Sequence, residues 1–129
     1  MHRNTFLDAP RVLNADYSWK QDGLVFFAGQ MTGVEGYVES ADSGLVAAIA
    51  LALKLKGLPP VAWDDETVSG ALCAHISSPS ENFQPMNANY GILRPLAENV
   101  RDKAKKKRLF AERALEKVRA VQERLSCLL

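Results

Sequence analysis

The apolar positions of this chain fall into three kinds of run. Leu24–Ala28 (LVFFA) is short and continuous and ends at Gly29, the pattern of a strand buried on both faces, as in a parallel sheet. From Val38 to Lys56 a helix is predicted, apolar on most sides from Leu45 onward and therefore largely buried. Lys54 and Lys56 suit the negative end of its dipole, and Gly57 with Pro59-Pro60 ends it. The third kind is a single stripe. Phe110, Ala114, Val118, Val121 and Leu125 recur at spacings of 4, 4, 3 and 4, which predicts a long helix over about Ala97–Leu125.

Between these runs the pattern is weaker. A shorter helix is predicted over about Glu66–Ile76, with Asp64 or Asp65 as its N-cap and Ser77-Ser78-Pro79 beyond its end. Residues 1–23 read as irregular, with a short strand near Asp16–Lys20. Phe83–Pro95 (FQPMNANYGILRP) reads as an extended polar-aromatic loop. One buried-type strand and three helices give an α/β chain that cannot close a sheet by itself, so the pattern points to a piece of a larger sheet.

Composition adds bounds. At 129 residues, 47% hydrophobic and 24% charged, the chain has room for one modest core. Its longest apolar run, Leu45–Leu53, is too short to span a bilayer, and MHRNTFLDAP lacks a secretory h-region. Cys73 and Cys127 form no CxxC pair and suggest no disulfide framework, so a reducing cytoplasm is the expected compartment. His75 has no second metal-type ligand at suitable spacing, and no metal site is expected.

Charge divides the chain. Residues 1–100 carry 6 basic and 11 acidic residues, whereas residues 101–129 carry 10 basic and 4 acidic. The cluster Lys103, Lys105, Lys106, Lys107, Arg108 is either a solvated helix face or a contact for a polyanion.

The stretch FFAGQMTGVEGYVESADSG, Phe26–Gly44, carries the most chemistry. A strand running through glycines into a helix start can present free N–H groups and the positive end of a dipole to a ligand. The spacing GxxxGxxG is neither a dinucleotide fingerprint nor a Walker A loop, and a tight turn packing helix on strand explains the glycines equally well. Glu35 and Glu39 already complement the dipole, which disfavours a phosphate. A flavin edge that becomes anionic on reduction suits the place better. Phe83, Met86 and Tyr90 form either a stacking wall for a base or pterin, or a loop that covers sheet and cofactor. Cys73 reads as a small buried residue, His75 as packing or surface, and Trp19 and Trp63 as flanking apolar area.

Five stretches make a family recognisable: MHRNTF (Met1–Phe6), LVFFAGQMTGVEGYVES (Leu24–Ser40), SGL (Ser43–Leu45), GAL (Gly70–Leu72) and NFQPMNANYG (Asn82–Gly91). In this order they resemble the GidA-like flavoproteins and, more closely, the C-terminal part of the TrmFO family, the folate- and FAD-dependent tRNA (uracil-5-)-methyltransferases. The resemblance implies the C-terminal portion of a Rossmann-like FAD-binding domain with few strands and long helices, incomplete on its own. Residues 1–96 would belong to that domain, and residues 97–129 would form a long basic amphipathic helix packed on it. It implies formation of 5-methyluridine in the tRNA T-loop, with methylenetetrahydrofolate supplying the carbon and NAD(P)H-reduced FAD the electrons. Gly29, Gln30, Gly33, Val34, Glu35 and Gly36 become the cofactor-binding candidates, His2, Arg3 and Asn4 cleft-lining candidates, and the Lys103–Arg108 cluster the tRNA contact.

The chain also departs from the family. Its GxGxxG motif and nucleophilic cysteines belong to upstream segments that this sequence lacks, so no catalytic residue is expected here and FAD would need the N-terminal part, supplied in cis or as a separate chain. Asp42 stands where the family has a small residue, which would disturb helix packing or flavin approach. The contrasting expectation is a non-catalytic basic helical piece that binds RNA or protein, or an inactive truncated product.

Overall fold

The computed structural model describes residues 5–129. In chain order these form α1 (Ala9–Val12), the strands β1 (Ser18–Trp19) and β2 (Asp22–Phe26), α2 (Tyr37–Leu55), α3 (Val68–Ser77) and α4 (Lys103–Leu128). Two 3-10 turns, Gln30–Thr32 and Tyr90–Ile92, lie in the connecting segments. The chain is thus mixed α and β, with a two-stranded sheet.

The apolar run LVFFA does not become a doubly buried parallel strand. β2 pairs antiparallel with β1, with Ser18 opposite Phe26, Trp19 opposite Asp22 and an irregular register between. Leu24 is 61% exposed. The run's hydrophobicity records what the segment is fit to bury against, and β1 covers one edge without covering a face. Part of β2 is instead shielded by α2: Lys54 Nζ lies 5.4 Å from the Phe26 ring centroid and donates to the Gly23 carbonyl at 2.6 Å. The short strand expected near Asp16–Lys20 is β1.

The core forms where α1, α2, α3 and the turn after β2 meet. Leu13, Tyr17, Val34, Val46, Leu72 and Ile76 are fully buried there, and Phe83 packs with them. α2 contributes one stripe, including Val46 and Ala47, while Leu45 and Leu55 stay exposed, so the expectation of a largely buried helix holds for one face only. Its end is as the sequence implies. Gly57 has φ +66°, and the Leu58 and Gly57 N–H groups donate to the Leu53 and Lys54 carbonyls at 2.9 and 3.1 Å, the crossed pair that satisfies orphan carbonyls at a helix end.

α3 starts two residues later than expected and takes a different cap. Thr67 Oγ1 accepts the Gly70 N–H at 3.0 Å. Asp64 instead shapes the preceding turn, its carboxylate accepting the Glu66 N–H at 2.8 Å and its carbonyl accepting the Thr67 N–H at 2.9 Å. A Cβ on Gly70 would lie 1.9 Å from the Asp64 carbonyl oxygen, so glycine is what lets this turn lie against the helix. Asp42 is accommodated between the helices with one carboxylate oxygen paired and the other, Oδ2, buried without a hydrogen-bond partner. Its Oδ1 accepts the Ser69 hydroxyl at 2.6 Å and ties α2 to α3, and burial pushes its carboxyl above the ordinary aspartate range.

α4 begins at Lys103, capped by Asp102, whose carboxylate accepts the Ala104 N–H at 3.0 Å. The helix thus starts six residues later than the expected Ala97, and the basic cluster forms its first turns, ahead of the apolar stripe. Phe110 is buried against Ala71 and Leu93. Arg113 donates to the Pro95 carbonyl at 3.1 Å and to the Arg94 carbonyl, and its guanidinium lies 5.2 Å from the Phe110 ring centroid. Arg94, Arg113 and Lys117 face Asp64, Asp65 and Glu66 in a network whose shortest pair is Arg94–Asp65 at 2.6 Å. One buried ring and this network dock the helix.

Replacing Thr67 by Ala leaves the Gly70 N–H without its cap and lowers stability by about 1 kcal/mol, read as a lower urea midpoint at unchanged slope. Thr67→Ser keeps the acceptor and most of the stability.

Candidate cofactor-side turn and basic helix

The glycine segment is a hydrogen-bonded turn, and its three glycines have different tasks. Gly29, Gly33 and Gly36 have φ of +82°, +94° and +113°, values that L side chains rarely adopt. A Cβ on Gly33 would lie 2.2 Å from the Phe83 ring, and one on Gly36 would lie 2.2 Å from the Glu39 carboxylate. Both positions are thus filled from within. At Gly29 nothing lies within 4 Å of the Cβ position, so this glycine alone leaves room beside the backbone for a flat molecule.

The polar groups of the turn are held from behind. The Gly29 N–H donates to Ser43 Oγ at 2.8 Å, and the Ser43 hydroxyl donates to the Ser40 carbonyl at 2.7 Å. The Gly29 carbonyl accepts from Thr32 N–H at 3.0 Å and Thr32 Oγ1 at 2.7 Å. Ser43 and Thr32 are fully buried. Sequence reasoning misses Ser43 as a site residue, although the SGL stretch carries the signal: a small hydroxyl two turns into the helix can reach back to the loop before it.

Val34 and Met86 form a parallel bridge, with Met86 N–H donating to the Gly33 carbonyl at 2.9 Å and Glu35 N–H donating to the Met86 carbonyl at 3.0 Å. The Val34 side chain is fully buried, so it belongs to the core and not to a ligand surface. Glu35 and Gln30 are exposed. Glu39 Oε1 accepts the Ala88 N–H at 2.8 Å. That bond first, and the residue's own N–H second, hold the Glu39 carboxyl below the ordinary glutamate range. Its carboxylate sits at the positive end of α2, where a phosphate would otherwise go. The first exposed side chains of α2 are Tyr37, at 97% exposure, and Val38. Nothing in the sequence pattern singles out Tyr37, and its exposure at the helix start is visible only in the fold.

Of the two readings of Phe83, Met86 and Tyr90, the shared stacking wall does not form. Phe83 is buried, meeting the His75 ring at 4.9 Å between centroids, while Tyr90 turns away and meets Phe110 at 5.3 Å. His75 Nε2 lies 2.9 Å from the Gln84 carbonyl, the packing role expected of it. Cys73 is buried, as expected, and burial pushes its thiol up to about 12. Cys127 is exposed. His2, Arg3 and Asn4 lie outside the described residues; Leu7 N–H donates to the Met31 carbonyl at 2.7 Å.

Lys103, Lys105, Lys106, Lys107 and Arg108 are all exposed, and among the described residues none is in an ion pair. Farther along α4, Arg113 and Lys117 are engaged in docking, whereas Arg119 and Arg124 are exposed and, among the described residues, in no ion pair. The first two turns of the helix thus hold the densest group of unengaged cations, where the dipole adds to them. No helix among the described residues is long and apolar enough to cross a membrane.

Comparison with known proteins agrees with the motifs. The family model described as glucose inhibited division protein A matches residues 1–59, a span that includes the turn segment. Over nearly its whole length the chain is further similar to proteins named methylenetetrahydrofolate–tRNA-(uracil-5-)-methyltransferase TrmFO. It is 53% identical to that of Desulfitobacterium hafniense over 92% of the chain and 27% of the relative. The figures are 47% for Bacillus licheniformis and 49% for Anoxybacillus flavithermus, each over 97% of the chain and 29% of the relative. The chain is thus similar to one part of these relatives and spans little more than a quarter of their length.

The glycine assignments make distinct predictions. Gly33→Ala meets both a left-handed backbone, costing roughly 1–2 kcal/mol, and the Phe83 ring, so it lowers the thermal midpoint more than Gly29→Ala; a second change, Phe83→Leu, recovers part of the Gly33→Ala loss.

Glu39 sets a pH dependence. Because folding lowers its pKa, its contribution is complete above the ordinary glutamate pKa and is lost as pH falls through the lowered one. In Glu39→Gln the acid limb of stability, followed by denaturant titration between pH 6 and the acid transition, becomes shallower.

Proposed function

We propose that this chain supplies the flavin-ring side of an FAD-dependent tRNA (uracil-5-)-methyltransferase. The enzyme so formed makes 5-methyluridine in the T-loop from methylenetetrahydrofolate and NAD(P)H. The observation that supports this best is the turn itself: a glycine backbone with open space at Gly29, braced from behind by Ser43 and Thr32, beside the exposed start of α2.

These residues fit a flavin better than a phosphate. Gly29 lets a flat ring lie against the main chain, and Gln30 offers an amide that donates and accepts. Glu39 already fills the anion position at the helix start. When bound, FAD supplies the redox and one-carbon chemistry. The chain's own residues shape the wall against which the ring rests and keep its backbone from shifting. Of the sequence candidates, Gly29 and Gln30 face the cofactor, Gly33, Val34 and Gly36 fix the turn, and Glu35 lies at its rim.

The exposed apolar side chains of β2, Leu24 on one face and Val25 on the other, are the surface on which the remaining segment of a Rossmann-like FAD domain would pack. The unpaired cations at the tip of α4 suit tRNA phosphates. A basic helical RNA-binding piece without flavin is the second reading, favoured by the same cations alone.

A visible absorption spectrum tests the proposal. The chain mixed with, or joined to, the remaining segment of a TrmFO relative turns yellow with FAD, and Gly29→Val removes the colour while the circular dichroism stays unchanged. A Gly29→Val complex that keeps its flavin would sink the assignment. Charge reversal at Lys105, Lys106 and Lys107 reduces the slope of log affinity for tRNA against log salt by roughly 0.9 for each phosphate that is no longer neutralised.

A further inference from the structure

The structure brings together Tyr90, Phe110 and the start of α4 in a way that neither the cofactor-side turn nor charge alone requires. Tyr90 sits in the 3-10 turn after the Met86–Asn89 loop, and its ring meets Phe110 of α4 at 5.3 Å with the planes tilted by 43°. Phe110 is buried, but Tyr90 is 52% exposed, so half of its surface is free for another ring.

The pair separates two adjoining clefts. One, of about 290 Å³, is apolar and is lined by Val68, Ala88, Leu93 and Ala114 besides the two rings. The other, of about 460 Å³, is more polar and is lined by Lys106 and Glu98, again beside both rings. Lys106 belongs to the group of cations that has no ion-pair partner among the described residues. An apolar slot bounded by a half-free aromatic ring, next to a lysine and the positive end of a helix, is complementary to a planar base carried on a phosphate chain.

Position strengthens the match. Ala88, in the wall of the apolar cleft, is held by Glu39 at the start of α2. The cleft is thus tied by one hydrogen bond to the helix start beside the cofactor-side turn.

We infer that the Tyr90–Phe110 cleft is a subsite for one unpaired nucleotide of the RNA, its base stacked on Tyr90 and its phosphate met by Lys106. The inference rests on the reading of the chain as an RNA-contacting segment and adds to it where, and in what form, the RNA is held. Duplex RNA, whose bases are already stacked and paired, cannot use the subsite.

The test is fluorescence binding of the full chain to an unpaired RNA hexamer carrying 2-aminopurine and to a duplex of the same sequence. The 2-aminopurine signal quenches on binding of the hexamer. Tyr90→Ala weakens hexamer binding about 5- to 100-fold and abolishes the quench. Tyr90→Phe, which retains the ring and its packing on Phe110, keeps both. Lys106→Gln lowers the salt slope by roughly 0.7, the amount for one phosphate of a single strand.

Equal affinity of wild type and Tyr90→Ala for the hexamer, with charge reversal at Lys105 and Lys107 still weakening it, would overturn the subsite and leave the RNA reading standing. Preference for the duplex would overturn it as well. Failure of the wild-type chain to bind either RNA would overturn both. Melting curves separate loss of stacking from loss of fold, and if the alanine variant unfolds, Tyr90→Leu, which keeps apolar packing on Phe110 without a ring, takes its place with the same expected loss of the quench.

Discussion

The bridge between Val34 and Met86 is the constraint on which most of this structure depends. Two backbone hydrogen bonds, Met86 N–H to Gly33 carbonyl and Glu35 N–H to Met86 carbonyl, join segments far apart in the chain. With the bridge made, Val34 and Phe83 are both delivered into the core, and Gly33 must be glycine because the Phe83 ring fills the place of its Cβ. The bridge also carries the loop to Ala88, where Glu39 holds it, and on to Tyr90, where it meets α4. Loop closure of this length is costly in chain entropy. Burial of Val34, Phe83, Leu72 and Ile76 in one cluster offsets it.

Polar groups are used twice in the same neighbourhood. Ser43 and Thr32 satisfy the backbone of Gly29 from the buried side, and nothing lies within 4 Å of its Cβ position on the other. Glu39 neutralises the helix start and tethers Ala88. The charges of α4 follow the same division: Arg113 and Lys117 face Asp64 and Glu66 and dock the helix, while the cations of the first turns stay unengaged. Exposed pairs of this kind contribute little singly, and the buried Phe110 ring does more of the docking.

The long helices are legible in the sequence because their signals are local. Val46 and Leu53 on α2, Phe110 on α4, and Gly57 at a helix end act within a few residues of themselves. The departures share a cause. LVFFA has the pattern of a doubly buried parallel strand, but a hydrophobic run shows how much can be buried and not which partner arrives; β1, a two-residue neighbour, is the partner in the fold. Asp64 and Asp65 have the composition of caps for α3, but Thr67 holds that place because Asp64 is occupied in the turn before it. Closeness in sequence groups Tyr90 with Phe83, and the bridge at Met86 sends the two rings to different sides.

The sequence by itself determined that a glycine turn joins a strand to a helix, that the helix start is acidic, that a basic stretch opens the last helix, and that the whole resembles a GidA-related, TrmFO-type segment. These follow from residue types and short spacings, which are properties of the chain before it folds. Only the tertiary structure decided which glycine stands open and which are filled, that Ser43 braces the turn, and that Tyr90 belongs with Phe110 and Lys106. Each of those depends on what residues distant in the chain place beside a given atom, and that is set by packing and closure, not by local pattern.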